Sequence, residues 1–202
     1  CGALLTYSYF TIGGSTHDMT PDMLDKVGEF LDYFEPKLVE YNDLLSYNQI
    51  FIKRTANVGP ISPELANAYA LTGPVIRGSG IPYDLRRPRK KADGGEGRQA
   101  YSLYDELDFD VIVGKGEMGC LGDCWDRYIV RMREMTESVK IIRQCLKMIP
   151  TEGDQAKFRV KLPRNFKPGP GEVYVETENP RGILGFYIET QGGTMTYRCK
   201  AR

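Results

Sequence analysis

Between Arg77 and Arg86 the chain reads RGSGIPYDLR, placing two glycines, a serine, a proline, an aspartate and two arginines within ten residues. Gly78 and Gly80 free the backbone for positive φ and close approach. Pro82 fixes its own φ and pushes Ile81 to an extended shape. The stretch is predicted to be a rigid turn displaying Arg77, Asp84 and Arg86 at set positions, with Ser79 between the glycines. Guanidinium and carboxylate groups held this way can pair with each other or with a charged ligand. It is no Walker loop, because no G-K-[ST] follows, and no G-x-G-x-x-G after a clean strand. On the residues alone two readings stand, a structural turn pinned by Asp–Arg pairs, which is favoured, and a ligand loop.

Other candidates for chemistry are weaker. Cys120 and Cys124 form a C-x3-C pair, looser than the C-x2-C of zinc sites, and two ligands are too few for a metal. The five cysteines show no disulfide-framework spacing, which points to free thiols in a reducing compartment. His17 has no second histidine or cysteine within sequence reach, so local capping or solvent exposure is expected rather than a metal role. The run RRPRKKADGGEGR after Leu85 has no interleaved aromatics and a glycine-rich second half, and reads as a solvated insertion rather than a nucleic-acid patch. Lysines plus arginines equal aspartates plus glutamates at 27 each, so no general basic field attracts nucleic acid. No Ser/His/Asp or Cys/His set can be assembled.

The elements that must position these residues follow from periodicity. Residues 3–12, ALLTYSYFTI, are β-branched and aromatic-rich and end at Gly13-Gly14, predicting a strand or extended segment. Thr20-Pro21 supplies a cap and a first-turn proline. Met23, Val27, Phe30, Phe34, Leu38, Tyr41 and Leu45 then mark one apolar helix face, with a kink or break expected at Pro36. Ser62-Pro63-Glu64 opens a short helix through about Tyr69. The strongest signal is a helix of roughly 25 residues carrying Tyr128, Met132, Met135, Val139, Ile142, Leu146 and Ile149 in alternating steps of four and three. Arg127, Arg131, Glu134 and Ser138 run beside that stripe, either as a solvated, paired face or as a face toward a partner subunit. EVYVETEN, ILGFYIET and MTYRCKA, separated by PRG and QGGT, predict an antiparallel meander.

The fold class is therefore α+β, mainly helical with a small antiparallel β lobe toward the C-terminal end. The expected division is a helical-bundle domain over 1–150, a linker over 151–170 and a β meander over 171–202. With 202 residues, 41 % of them hydrophobic, the chain can bury a real core. No apolar run approaches the ~20 residues that span a bilayer. The opening CGALLTYSYF without an initiator Met, and the strand-like end MTYRCKAR, lead us to expect an internal piece of a longer polypeptide.

Six motifs occur in order: YSYFTIGG, RGSGIPYDLR, YSLYDELDFDV, GDCWDRYIVRMREMTESVKIIRQCL, GEVYVETENPRGILGFYI and GGTMTYRCKAR. Together they resemble the 49-kDa-type subunit of NADH–quinone oxidoreductase, respiratory complex I. That family is itself similar to the large subunit of nickel–iron hydrogenases. The resemblance runs over nearly the whole chain and implies a hydrogenase-large-subunit-like helical bundle. It implies a place beside the small subunit that carries the terminal iron–sulfur cluster, with the quinone-reduction cavity between the two. It implies electrons arriving from NADH and flavin elsewhere in the complex, coupling to ion translocation, and no cofactor or metal on this chain. It implies a peripheral location, on the cytoplasmic side of the bacterial inner membrane or the matrix side of the mitochondrial one.

The family's quinone-binding histidine and tyrosine lie upstream, so no catalytic residue is carried over. The resemblance assigns Arg77, Gly78, Ser79, Gly80, Asp84 and Arg86 a role supporting the cavity or the interface. Aligning the family's R-x-H-x-x-Y-x-R-x-G-G on Tyr9 and Gly13-Gly14 puts Leu4, Thr6 and Thr11 where it has arginine, histidine and arginine. Thr6, Thr11, Gly13 and Gly14 are then cluster-proximal. Loss of cationic and titratable groups there is expected to lower the cluster potential and suit a low-potential quinone such as menaquinone. Two alternatives remain, a hydrogenase-like large subunit of a membrane-bound complex and a non-catalytic scaffold of the same fold. The stripe from Tyr128 to Ile149 is expected to need helices from outside this stretch to cover it.

Overall fold

The computed structural model describes residues 6–87, 100–150, 157–163 and 165–202. The basic run after Arg87 and residues 151–156 of the expected linker fall outside these. A 3-10 turn, Thr6–Tyr9, leads into a two-residue hairpin of β1 (Phe10–Thr11) and β2 (Gly14–Ser15). Helix α1 (Pro21–Tyr41) passes into a π turn at Asn42–Ser46 and is followed by α2 (Gln49–Thr55), α3 (Pro63–Ala68) and α4 (Gly73–Gly78). The long helix α5 (Cys124–Met148) has 25 residues. A three-stranded antiparallel sheet closes the chain, β3 (Pro170–Asn179), β4 (Gly182–Gln191) and β5 (Arg198–Ala201), in the order β3-β4-β5. Helices and small antiparallel sheets together make an α+β protein.

Caps explain where the helices start. Thr20, Asn48 and Ser62 each accept a hydrogen bond from a first-turn amide of α1, α2 and α3, at 3.3, 2.9 and 3.2 Å. Asp123 caps α5 through its Oδ1, which accepts from Asp126 N at 2.9 Å, and its Oδ2 accepts from Asn57 N in the loop after α2 at 2.8 Å. Thr72, at the cap position of α4, makes no such bond. Its hydroxyl instead accepts from Ile183 N at 3.1 Å and ties α4 to β4.

The buried rows overlap the expected ones only in part. In α1 the enclosed residues are Leu31 and Leu38, with Leu24, Val27 and Phe34 half-covered, while Phe30, Tyr41 and Leu45 are exposed. In α5 the enclosed apolar residues are Trp125, Ile129, Val130 and Val139; Tyr128, Met132, Met135, Leu146 and Ile149 are half-covered and Ile142 is exposed. Both helices carry apolar residues around more than one face, so a 3-4 spacing can be drawn through two neighbouring rows. Contact with α1 and α4 selects the row that α5 buries. Trp125 opens that row in the first turn of α5, fully buried, with its indole N–H donating to Ser46 O at 3.1 Å.

Two expected features take other forms. Helix α1 continues unbroken through Pro36. Leu31 and Leu38 anchor it on either side of the proline, and Asp32 and Glu35 both bind Arg143 of α5, at 2.7 and 2.9 Å. One missing ladder bond does not outweigh these anchors. The segment read as a strand up to Ile12 is a 3-10 turn plus a two-residue strand, with Tyr7, Phe10 and Ile12 exposed. Its partner is residues 157–160: Ser15 N donates to Phe158 O at 2.9 Å and Val160 N to Gly13 O at 2.8 Å. Gly13 has φ +95°, and a Cβ there would lie 2.6 Å from Val160 O, so the close pass requires glycine.

Leu31→Ala should lower unfolding stability by about 2–5 kcal/mol. Lys26→Ala, which removes an exposed pair with Asp22, should leave it within experimental error. Urea unfolding of the two variants checks the contrast.

Candidate functional site

The RGSGIPYDLR stretch is half helix and half loop. Arg77 and Gly78 close α4, and the loop proper starts at Ser79. Gly78 is not a positive-φ glycine; it is there for space. A Cβ on it would lie 2.8 Å from Arg127 Cγ and 3.3 Å from Arg127 Cα, so glycine lets α4 lie directly against α5. Gly80 does adopt a left-handed conformation, φ +81°. Its amide donates to Arg77 O at 3.0 Å, and Gly114 N donates to the same carbonyl at 2.8 Å. The Ser79 hydroxyl donates to Ile61 O at 2.8 Å and locks the turn to the segment before α3.

Arg77 is 1 % exposed. A guanidinium taken from water needs acceptors along its fork. Its Nε donates to Glu134 Oε1 of α5 at 2.8 Å. Its Nη1 donates to Glu178 Oε1 of β3 at 2.8 Å and to Tyr83 O at 3.0 Å, with Asp84 Oδ2 at 3.6 Å. The side chain therefore joins the helices, the sheet and its own loop at one point. Asp84 in turn takes a bidentate pair from Arg86, Nε to Oδ1 at 2.9 Å and Nη2 to Oδ2 at 2.6 Å, and also accepts from Arg86 N at 2.9 Å. The guanidinium groups of Arg86 and Arg87 lie 5.0 and 3.9 Å from the centroid of the buried Phe109 ring. Glu178 is fixed further by Leu85 N, 3.3 Å from its Oε2, and by its own N–H, which donates to the Tyr101 hydroxyl at 2.9 Å.

Three carboxylates face two guanidinium groups here, and their environments separate them. Burial pushes the Asp84 carboxyl up, but hydrogen bonding and charge from Arg86 outweigh it and hold the group below the usual carboxylate range. Burial dominates for Glu134, whose carboxyl is held above its ordinary value in spite of Arg77. Burial also raises the Tyr101 phenol. A cavity of about 430 Å³ opens beside the cluster, lined by Arg77, Arg86, Tyr104, Arg131, Glu134 and Glu178 among others. The arrangement is suited to holding fixed charge at a wall. Among the described residues no group of three or more His, Cys, Asp or Glu side chains could hold a metal ion.

Arg77, Gly78, Ser79, Gly80, Asp84 and Arg86 are thus brought together by the fold. Thr11, Gly13 and Gly14 are not part of this cluster; they form the β1–β2 hairpin against residues 157–160. Thr6 opens the 3-10 turn before it, and Leu4 lies outside the described residues. The row Arg127, Arg131, Glu134 and Ser138 divides between two surroundings. Glu134 faces inward to Arg77, and Arg127 bonds Gly59 O at 3.0 Å and Cys124 Sγ at 3.1 Å, whereas Arg131 stays exposed.

Sequence reasoning missed Glu178 and the buried pair Asp123 and Asp126. Asp126 accepts from Gly116 N at 2.9 Å and Gly122 N at 3.1 Å, wrapping the glycine-rich 114–122 loop onto the start of α5. The Asp-x-x-Asp spacing at the head of the helix was the available signal.

A family model described as the 49 Kd subunit of respiratory-chain NADH dehydrogenase matches residues 1–202. The chain belongs to this 49-kDa subunit family. The D-type subunit of NADH-quinone oxidoreductase from Pelodictyon phaeoclathratiforme is 46 % identical over 202 residues, covering 100 % of this chain and 48 % of the relative. Its counterpart from Chlorobium chlorochromatii is 44 % identical with the same coverage. A counterpart from Sorangium cellulosum is 45 % identical over 100 % of this chain and 49 % of its own length. The chain thus spans about half the length of the curated relatives it matches. Membership of the 49-kDa family favours the complex I reading over the hydrogenase-like one. Among the described residues no helix is long and apolar enough to cross a membrane.

The cluster predicts unequal costs. Arg77→Ala leaves Glu134 and Glu178 facing an apolar gap and should cost about 3–5 kcal/mol; Glu134→Gln should cost clearly less, since its carboxyl already sits above its ordinary value. For Asp84 the folded carboxyl lies below its unfolded value. Its contribution is therefore complete at neutral pH and is lost as pH falls through and below the ordinary carboxylate range. Asp84→Asn should lower stability at pH 7 and flatten the acid limb of an unfolding-against-pH curve.

Proposed function

We propose that this chain is wall material of a quinone-reduction cavity. The parent complex would pass electrons from NADH, through flavin and iron–sulfur clusters held by other subunits, to a quinone bound between this subunit and the one carrying the terminal cluster. The energy released would drive ion translocation. The chain itself would bind no redox group and sit peripherally, on the cytoplasmic or matrix side of the membrane. Family membership and the relatives' names support the NADH–quinone oxidoreductase part of this reading.

Arg77 is the observation that carries the part assigned to these residues. A buried cation met at hydrogen-bond distance by Glu134, Glu178 and Tyr83 O cannot turn to a mobile ligand without abandoning its partners. It is a preorganised fixture, and its role is to hold a wall and its electrostatics rather than to exchange protons. Asp84 and Arg86 hold the loop that faces the same side, and Gly78, Ser79 and Gly80 let that loop approach α5 and the segment before α3. Thr6, Thr11, Gly13 and Gly14 are assigned to a separate position near the cluster, where threonines in place of cationic and titratable groups leave the cluster at low potential.

Two measurements test this reading. In the assembled complex, Arg77→Ala should lower quinone reduction by about tenfold or more while NADH oxidation by an artificial acceptor stays intact. Equal loss of both activities would remove the cavity role. Redox titration of the terminal cluster between about pH 6 and pH 8 should give a low potential with little slope. A high potential that falls with pH would refute the assignment of the two threonines.

A further inference from the structure

The three-stranded sheet is amphipathic in an unexpected sense. Its register pairs Val173 with Ile188, Val175 with Phe186, and Phe186 with Ala201, while Ile188 meets Cys199. Side chains alternate along a strand, so Val173, Val175, Leu184, Phe186, Ile188 and Cys199 share one face. No charged residue stands on it. Every charge in the three strands, Glu172, Glu176, Glu178, Glu189, Arg198 and Lys200, falls on the other face.

The charged face is the one turned to the helices. Glu178 reaches Arg77, and Tyr174, Glu176 and Ile183 line a cavity of about 360 Å³ with Ile76 and Ile81. The apolar face looks away from the helices. Val173, Val175, Leu184 and Phe186 are 51 %, 56 %, 37 % and 42 % exposed, and Cys199 is exposed as well. A single-layer sheet open on its apolar side is not a finished unit, because a sheet must bury that face against a second layer.

We propose that this face is covered by another part of the same polypeptide, lying outside residues 1–202 and packing on it as a second layer. Two observations select this occupant. The chain spans 48 % of the relatives' length, so a segment of comparable size belongs to the same subunit in those relatives. The face is also free of charge across all three strands. That is the composition of a domain interior, whereas the contact between separately folded partners has charged and hydrogen-bonding groups at its rim. The covering layer carries its own aliphatic or aromatic stripe and sits about 10 Å from the sheet if it is itself a sheet.

Photo-crosslinking in the assembled complex tests this directly, with Val175→p-benzoylphenylalanine in the full-length subunit and mass-spectrometric mapping of the product. Products joining position 175 to another peptide of the same subunit are expected. A product joined to a different subunit, to a second copy of this one, or to lipid overturns the proposal, as does the absence of any protein product. Maleimide labelling of the native full-length subunit provides a second readout that needs no substitution. The Cys199 thiol should react ~100-fold more slowly than in denaturant, both in the complex and in the separated, folded subunit. Protection that appears only on assembly assigns the face to a companion subunit and overturns the proposal; free reaction in both forms does the same.

Discussion

The arrangement depends on one buried guanidinium. Arg77 has almost no contact with water, so the folded state exists only if acceptors reach it from elsewhere. Those acceptors come from α5, from β3 and from its own loop. Each satisfies a donor and at the same time fixes the element that carries it. Burying three carboxylates with two cations is not a cheap way to gain stability, since apolar side chains of equal volume often do as well or better. Its effect is on uniqueness: a displaced β lobe would leave Arg77 short of Glu178 and Glu178 short of Leu85 N.

The backbone around the cluster is arranged to allow this proximity. Gly78 removes the side chain that would hold α4 off α5, and Gly114 lies where a Cβ would strike Gly78 O. The loop containing Gly114 is held in turn by Asp126, which is fully buried and bonded through backbone amides. Asp123 and Asp126 thus do for the 114–122 loop what Glu134 and Glu178 do for Arg77. One set places carboxylates against N–H groups at the head of α5; the other places them against a side-chain cation a few turns along the same helix. Within the Arg77 set, hydrogen bonding and charge from Arg86 hold the Asp84 carboxyl below the ordinary carboxylate range, whereas burial holds that of Glu134 above its ordinary value.

How much of this was legible in the sequence depends on the range of the signal. The caps at Thr20-Pro21 and Ser62-Pro63 and the full span of α5 were readable because they are local and follow from residues within a few positions of one another, whereas the short helices α2 and α4 and the unbroken course of α1 were not. Burial rows were readable only in part. Phe30 and Leu31 are both good core residues, and only α5, far along the chain, decides between them. Arg77, Asp84 and Arg86 stood out through their setting between glycines and proline. Glu178 did not, because a glutamate in an alternating strand looks like any solvated one until its register against Ile183 and the approach of α4 are known.

That register links the sheet's two faces. Strand periodicity is two, so a slip of a single residue between β3 and the helical body would turn Glu178 outward and Thr177 inward. Arg77 would lose an ionic partner, and Val173 and Val175 would face Ile76 and Ile81 instead of the open side. By the hydrophobic effect alone the slipped arrangement looks better, since it would bury two valines at once. The observed register therefore shows which requirement prevails. A buried guanidinium and a glutamate that lose each other cost more than two exposed valines, and valines exposed here can still be covered by a further layer. Nothing arriving later could supply a carboxylate to an arginine already enclosed between α4, α5 and β3. The polar contact sets the register, and the apolar face turns outward as its consequence.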